Sequence, residues 1–202
     1  MSEPRKHLPA DERKAATVDA VLRLAAEQNP SDITTSAIAK KMGLTQGALF
    51  RHFATKDSIL EAVMGWVAER LLLRIEQAAD NKSSPLAALE AVFMTHIQFV
   101  TEHPGVPRLL FGELQRPGAT LPKKMTTLLL ARYKDRITHL LKAAVTHGAL
   151  PPELDIQSAV VLFIGSIQGL VMQALIADDI SLINRDAAGV FAIYKRGIGD
   201  NT

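Results

Sequence analysis

The stretch TTSAIAKKMGLTQGALFRHF, residues 34–53, limits what this chain can fold into more than any other segment. Its apolar residues follow the spacing of a helix, but Gly43 interrupts the pattern after two turns and a small polar loop follows. Glycine adopts positive φ without steric penalty, so it commonly ends a helix and turns the chain. The stretch therefore predicts two short helices joined by a tight turn.

Two short helices joined in this way form a helix-turn-helix unit when their inner faces pack on a third helix. Ala39 is small and lies midway along the first helix, where a crossing helix must approach closely. Ile38, Leu49 and Phe53 are spaced to face inward, toward Leu22 of the preceding helix. On these residues alone, a plain helical hairpin remains the alternative.

The other side chains of the second short helix are polar or small, and they would lie on its outer face or at its N-terminus. Such a helix, only two turns long, fits the major groove of DNA. Gln46 can pair bidentately with adenine, and Arg51 with guanine or a phosphate. Hydroxyls and free N–H groups at a helix start suit a phosphate as well. The predicted DNA contacts are Thr35, Ser36, Thr45, Gln46, Gly47, Arg51, His52 and Lys56.

The rest of the chain repeats helical spacing and contains no convincing strand. Helix-favouring residues dominate the periodic segments, and aromatic residues make up only 5% of the 202. Caps and chain breaks predict an all-α protein of nine helices. Besides the two short helices, the predicted ranges are about Asp11 to Asn29, Thr55 to Asp80, Pro85 to about Glu102, Pro107 to Gln115, Lys123 to about His147, Asp155 to Ala177 and Ser181 to about Arg196. Thr55, Asp155 and Ser181 are the predicted caps of their helices. Gly197 and Gly199 are expected to lie past the end of the last helix.

The composition excludes several classes of site. There is no cysteine, so disulfides, thiolate metal sites and cysteine nucleophiles are absent. The sequence shows no phosphate loop, dinucleotide fingerprint or catalytic triad pattern, so we expect neither an enzyme nor a cofactor. The histidine pairs 96/103 and 139/147 are seven and eight residues apart, too far for chelation by one helix, so no metal site is predicted.

The location of the protein follows from apolar segments. No apolar signal segment begins the sequence, which favours a cytoplasmic protein. Ile156–Ala177 is uncharged and long enough to span a bilayer, but three glutamines interrupt the apolar run. A helix buried in a protein interior or an interface explains it better than a membrane span.

The segment ITTSAIAKKMGLTQGALFRHFATKDSILEAV, residues 33–63, closely resembles the DNA-binding part of the TetR family of bacterial transcriptional repressors. The shared features are the threonine before the first short helix, the IA pair, the GL turn, GALFRHF and KDSIL. One residue departs from the pattern: the family usually has tyrosine where this chain has Phe50, which cannot bond a phosphate through a hydroxyl.

The resemblance implies an all-α homodimer of nine-helix chains. Residues 1–55 would form a helix-turn-helix DNA-binding domain, and residues 56–202 a domain for ligand binding and dimerisation. The homodimer would bind a palindromic operator, and a small, largely apolar effector would change the spacing of the two DNA-binding parts and release the DNA.

Two sets of residues are candidates for the C-terminal part. The first combines polar or aromatic side chains with otherwise apolar helix faces, as a ligand pocket does. These ligand candidates are Trp66, His96, Phe99, His103, Arg108, Phe111, Gln115, Tyr133, Gln168 and Met172. The second set lies on the last two helices, where GSIQG puts small residues one turn apart. These dimer candidates are Leu162, Gly165, Gly169, Val190, Phe191 and Tyr194.

Two other functions remain open from the sequence. One is a helical small-molecule-binding protein or enzyme with a non-functional DNA-binding unit. The other keeps DNA binding but lacks a ligand response, as division-control relatives do. Sequence-specific DNA binding would distinguish a ligand-responsive regulator from the first alternative. Release of DNA by a small molecule would distinguish it from the second.

Overall fold

The computed structural model describes residues 10–80 and 82–199, and in these residues it contains nine α-helices and no strand. The predicted all-α fold with nine helices is therefore confirmed. The helices are α1 (Ala10–Glu27), α2 (Thr35–Lys41), α3 (Gln46–Phe50), α4 (Lys56–Asp80), α5 (Pro85–Glu102), α6 (Gly105–Gln115), α7 (Leu121–Thr146), α8 (Ile156–Ala177) and α9 (Ser181–Gly199), with a short 3-10 turn at Pro30–Asp32.

Side-chain caps fix several helix starts where the sequence predicts them. The Thr55 hydroxyl accepts from the backbone N–H of Ser58 at 3.1 Å, and the Ser58 hydroxyl accepts from the N–H of Thr55 at 3.2 Å. Asp155 accepts from the N–H groups of Gln157 and Ser158 at 3.0 and 3.1 Å. The pKa of the Asp155 carboxyl is lowered because Ser158 donates to it from both its hydroxyl and its N–H. These caps satisfy N–H groups that the helix itself leaves unpaired.

Other predicted boundaries were wrong. Helix α6 begins at Gly105 and α7 at Leu121, each two residues before the predicted start. At the last helix, Ser181 is the first helical residue and not the cap, because the Asp179 carboxylate accepts its N–H at 2.9 Å and its hydroxyl at 2.6 Å. Helix α9 also continues to Gly199, so Gly197 lies inside the helix.

The described residues divide into two compact units. The first unit contains residues 10–67 and 105–126, and the second contains residues 68–80, 82–104 and 127–199. Helices α4 and α7 each contribute residues to both units. The sequence expectation of functional domains at 1–55 and 56–202 is a division by role, whereas these units follow contacts.

The first unit is held together by close packing of α1 and α6. At Gly105, a Cβ atom would collide with the backbone of Leu22 and Ala26, so the two helix backbones touch. Val21 and Ala25 on the same side of α1 are fully buried. Helix α6 therefore belongs with the N-terminal helices, although the chain reaches it only after α4 and α5.

The second unit has an aromatic core between α5, α8 and α9. The ring centres of Phe93 and Phe163 are 5.4 Å apart, those of Phe93 and Phe191 are 5.2 Å apart, and those of Phe163 and Tyr194 are 5.4 Å apart. The Tyr194 hydroxyl donates to the carbonyl oxygen of Ala159 at 3.1 Å, which satisfies its polar end. Burying each such ring stabilises the fold by roughly 1.5–3 kcal/mol.

Helix α8 is apolar on two sides. By length and composition alone it could cross a membrane, but its inner side, which includes Phe163, packs on α9 and α5. Its outer side exposes Val161, Leu162, Met172 and Ile176. The lack of charge thus reflects one apolar face inside the unit and a second that faces outward.

Candidate nucleic-acid interface

A glycine turn sets the angle between α2 and α3. Gly43 has φ +66°, the positive value that the sequence predicts. The Leu44 N–H donates to the carbonyl oxygen of Ala39 at 2.8 Å, and the Gly43 N–H donates to that of Lys40 at 3.0 Å. This pair of bonds is the Schellman motif, which satisfies the last carbonyl groups of α2 while it reverses the chain.

Two threonines cap the short helices. The Thr34 hydroxyl accepts from the N–H of Ala37 at 3.1 Å, and the Thr45 hydroxyl accepts from the N–H of Ala48 at 3.2 Å. Thr45 therefore has a structural role besides its predicted contact with DNA. An accepting hydroxyl keeps its own proton to donate, so the two roles are compatible.

The inner faces of α2 and α3 are buried as the sequence predicts. Ile38 and Leu49 are 1% exposed, Ala39 is 2% exposed and Phe53 is 7% exposed. Leu22 of α1, the predicted neighbour, is also buried. Because these residues fill the inside, the remaining side chains of α3 must point outward.

Exposed hydrogen-bonding groups lie on the outer face of α3 and on the two residues that follow it. Gln46, Arg51 and His52 are exposed, and a Cβ atom added at exposed Gly47 would meet no atom within 4 Å. The Gln46 side-chain N–H donates to the Thr35 hydroxyl at 2.8 Å, which ties α3 to the start of α2. The structure thus places several polar side chains of two helices on one accessible surface.

The other predicted DNA contacts lie at the two ends of this segment. Ser36 is exposed in the first turn of α2, and Lys56 is the half-buried first residue of α4. Arg13 of α1, which was not predicted from the sequence, also lies here, and its guanidinium contacts the His52 ring. Nothing local in the sequence signals a contact between residues so far apart in the chain.

The predicted ligand residues are divided between the two units. Trp66, Arg108 and Phe111 are half-buried and Gln115 is exposed, all in the first unit. In the second unit, His96, Phe99, His103 and Tyr133 lie on α5 and α7. Gln168 and Met172 are exposed on the outer side of α8, opposite Phe163. The structure therefore places these last two on a different side of the unit from Phe163, and their role in ligand binding stays a prediction.

His96 and Tyr133 form a polar pair in the second unit. The distance from His96 Nδ1 to Tyr133 Oη is 3.0 Å, and the ring centres are 5.2 Å apart. Burial lowers the pKa of His96 to about 4 and raises the pKa of the Tyr133 hydroxyl above its ordinary value. Both side chains are therefore neutral at neutral pH.

Phe99 and His103 continue the predicted α5 stripe. Their ring centres are 4.9 Å apart, and Phe99 is 1% exposed. Arg74 of α4, which was not predicted from the sequence, lies 5.5 Å from the centre of the Phe99 ring and donates to the Glu102 carboxylate at 2.5 Å. The bond from Arg74 lowers the pKa of the Glu102 carboxyl.

The predicted dimer residues are not all available to a partner. Leu162 is 52% exposed, Gly165 is exposed, and Gly169 and Val190 are half-buried. Phe191 and Tyr194 are each 3% exposed inside the aromatic core, so within one chain little of either side chain is left to contact a partner. Their apolar side chains are already covered by their own chain.

Comparison with known proteins places this geometry in a family. Residues 18–63 match the sequence pattern described as bacterial regulatory proteins, tetR family. The HTH-type transcriptional regulator SrpR of Pseudomonas putida is 30% identical over 174 residues, which cover 84% of this chain and 78% of that protein. The nucleoid occlusion factor SlmA of Marinomonas sp. (strain MWYL1) is 23% identical over 161 residues, 80% of this chain and 82% of that protein.

A solved structure extends the likeness to the whole fold. The transcriptional regulator FadR from Bacillus subtilis, in complex with stearoyl-CoA, superposes with a TM-score of 0.79 at 20% identity, covering 91% of this chain and 98% of that one. Proteins of this kind are DNA-binding regulators and not enzymes. The match through α1–α4 and the long alignment with SrpR show that the chain is a transcriptional regulator and belongs to the tetR family of bacterial regulatory proteins.

Proposed function

We propose that this chain is a ligand-responsive repressor that acts in the cytoplasm. It binds a palindromic operator as a homodimer and leaves the DNA when a small, largely apolar effector binds. Residues 1–55 contact DNA, and residues 56–202 bind the effector and dimerise. The observation that carries the proposal is the outer face of α3, where polar side chains are exposed on a short helix whose inner face is buried.

The chemistry of that face suits the edges of base pairs. A glutamine amide both donates and accepts, which matches adenine, and an arginine fork matches guanine or a phosphate. Gln46 and Arg51 supply these groups, and Gly47 leaves room for the backbone to approach DNA. Thr35 orients the Gln46 amide before DNA arrives, because it already accepts one of its N–H groups.

The outer surface of α8 and α9 supports a homodimer. Val161 is 63% exposed, Leu162 52%, Ile176 78% and Ile193 64%. Burying one large aliphatic side chain contributes roughly 1.5–3 kcal/mol. A two-fold dimer built on this face would present two copies of α3 and would therefore read a sequence with two-fold symmetry.

An effector can release DNA if its affinities for two conformers of the dimer differ. Suppose the dimer samples conformers with DNA-competent and incompetent spacing of its two α3 helices, and the effector binds the second more tightly. Operator affinity then falls tenfold for about every 1.4 kcal/mol of that difference. Helix α4 begins at Lys56 near the proposed DNA contacts and continues to Asp80 in the second unit, so one helix has residues in both.

The test of DNA recognition is selection from a random pool. Purified protein is mixed with random duplexes, and the bound fraction is amplified and sequenced. We expect a palindrome whose half-sites are about 10–10.5 base pairs apart, or a multiple of this spacing. Recovery of no motif, with weak binding that is lost as salt rises, would contradict the proposal.

The recognition residues are tested by Arg51→Ala. Loss of a bidentate base contact costs about 1–3 kcal/mol, which is roughly a five- to 150-fold loss of operator affinity. Arg132→Ala is the matched control, since Arg132 is an exposed arginine on α7. Both variants should keep the mass of the parent in solution. If Arg51→Ala binds the selected operator as well as the parent does, the assignment of α3 as the recognition helix is wrong.

A second function is favoured by several relatives that share one name. SlmA is described as a nucleoid occlusion factor, and its alignment covers most of both chains. A protein of that type would bind DNA without being released by a small molecule. Screening apolar compounds for release of a labelled operator separates the two functions: release supports a repressor, and retention with every compound supports the second function.

A further inference from the structure

The His96–Tyr133 pair is a polar group inside an apolar region. On α5, Val92 and Phe99 flank His96 by one turn on either side and are 0% and 1% exposed. Tyr133 is 3% exposed, and its ring centre lies 6.5 Å from that of Phe163. Polar groups in such surroundings reduce stability unless they are hydrogen-bonded, so the direction of each of their hydrogen bonds matters.

The position of the histidine proton follows from the tyrosine. Among the described residues, the only hydrogen-bond partner of the Tyr133 hydroxyl is His96 Nδ1. A buried O–H group without an acceptor costs about 1–3 kcal/mol, so the hydroxyl donates to Nδ1. A neutral imidazole carries one proton, which must then be on Nε2.

The Nε2–H group is left as a donor. No described residue accepts from Nε2. Among the described residues, Arg136 Nε is the one side-chain nitrogen or oxygen that is both fully buried and without a hydrogen-bond partner. Since Nε2 of His96 also lacks a partner, it is not fully buried. His96 is half-buried, and its accessible surface includes this nitrogen. The N–H is therefore an unused donor on a half-buried residue.

Because the imidazole is uncharged, its N–H group favours a neutral acceptor. Because burial lowers the pKa of His96 to about 4, the imidazole is neutral at physiological pH. Arg74 of α4, which lies over the Phe99 ring, is already bonded to Glu102, and Arg136, one turn after Tyr133 on α7, is bonded to Asp80 at 2.8 Å. A carboxylate placed against a neutral donor would lose its hydration without gaining a counter-charge, which is costly. A neutral oxygen acceptor loses far less.

We propose that His96, oriented by Tyr133, is the polar anchor of the effector site and donates from Nε2 to a neutral carbonyl oxygen of an otherwise apolar molecule. The ligand class is thus an apolar ketone, ester or amide rather than a fatty carboxylate or an amine. This inference rests on the proposed effector response, but the anchor itself can be tested without DNA.

The experiment is calorimetric titration of the full chain with three ten-carbon probes, 2-decanone, decanoate and decylamine, at pH 7.5. The parent should bind the ketone at least tenfold more tightly than either charged probe. His96→Leu should lower ketone affinity roughly five- to tenfold, as expected for one lost hydrogen bond. It should leave decanoate and decylamine unchanged. His139→Leu, which removes an exposed histidine of α7, is the matched control and should change nothing.

Two further variants separate anchoring from packing. His96→Gln keeps a side-chain N–H donor and should recover part of the ketone affinity that His96→Leu loses. Tyr133→Phe removes the group that fixes the imidazole proton on Nε2, so it should weaken ketone binding about threefold by allowing the other tautomer. Equal ketone affinity in His96→Leu and the parent would overturn the anchor. Tighter binding of decanoate than of the ketone, or no binding of any probe, would overturn the ligand class.

Failure of this inference is distinguishable from failure of the proposed function. If the chain selects a palindromic operator but binds the ketone independently of His96, only the anchor is wrong. If His96-dependent ketone binding is found in a chain that selects no operator, the anchor stands and the repressor function is wrong.

Discussion

The α2–α3 segment and the aromatic part of the second unit use their side chains in opposite ways. In α2–α3, folding residues such as Leu49 point inward while the proposed DNA contacts Gln46 and Arg51 point outward. In the second unit, His96 and Tyr133 take part in packing and are also the proposed ligand contacts. Function is therefore separable from stability in the first region and coupled to it in the second.

The largest expected difference is between two phenylalanines. Phe163→Ala should reduce the free energy of unfolding by about 3–5 kcal/mol, because Phe163 is fully buried between other aromatic rings. Phe50→Ala should change it by less than about 0.5 kcal/mol, since Phe50 is 41% exposed. Urea denaturation at fixed protein concentration measures both free energies of unfolding. Equal losses would show that the two regions do not differ in this way.

The next largest effect is a dependence of the free energy of unfolding on pH that His96 causes. Burial lowers its pKa from the ordinary histidine value of 6.5 to about 4 in the folded chain, so between these two values the unfolded chain binds more protons. Stability from this group is therefore complete above pH 6.5 and falls as pH drops toward 4, by about 3 kcal/mol in total. Other groups titrate in the same range, so the informative quantity is the difference between the parent and His96→Phe. The stability of the parent minus that of His96→Phe should fall as pH drops through this window; a constant difference would show that His96 is not protected from protonation.

A smaller effect is expected at the α2–α3 turn. Gly43→Ala should cost about 1–2 kcal/mol, because φ is +66° and a Cβ strains that conformation. Gly47→Ala is the control: it has ordinary φ and open space around its Cα, so the substitution should stabilise α3 by up to about 1 kcal/mol. Thermal unfolding of both variants gives the signs. If both substitutions shift stability in the same direction, backbone conformation does not control this turn.

The smallest stability effect should come from Thr35→Ala. It removes the acceptor of the exposed Gln46 side chain, and an exposed hydrogen bond of this kind contributes less than about 0.5 kcal/mol to stability. Operator affinity should nevertheless fall, because the Gln46 amide is no longer held before DNA binds. A fluorescence anisotropy titration with the selected operator, beside a urea curve, checks whether function changes while stability does not.

The sequence predicts the α2–α3 segment well because local chemistry determines it. Gly43 and the hydroxyl of Thr45 act on backbone atoms within a few residues, so their roles are readable without knowing the fold. At α9 the same reasoning failed. Gly197 weakens a helix in isolation, but Ile198 beside it is 5% exposed, and packing continues the helix past the glycine.

The interface and pocket candidates show a second limit. Helical spacing identifies Phe191 and Tyr194 as members of an apolar face, but it does not say whether their own chain or another covers that face. The aromatic core decides this, and it is made by helices far apart in the sequence. For the same reason, spacing could nominate His96 and Tyr133 separately but could not show that they bond each other.

Gly105 has a consequence for how sequence variation in this protein is interpreted. Its α-carbon lies so close to the α1 backbone that the first carbon of any side chain has no room. No replacement is conservative there, since every other amino acid begins with that carbon. In a deep mutational scan, position 105 should therefore be as depleted of variants as a base-reading residue, although it is proposed to touch neither operator nor effector. A position can therefore be intolerant of substitution because no side chain fits there, and not only because its residue has a chemical role.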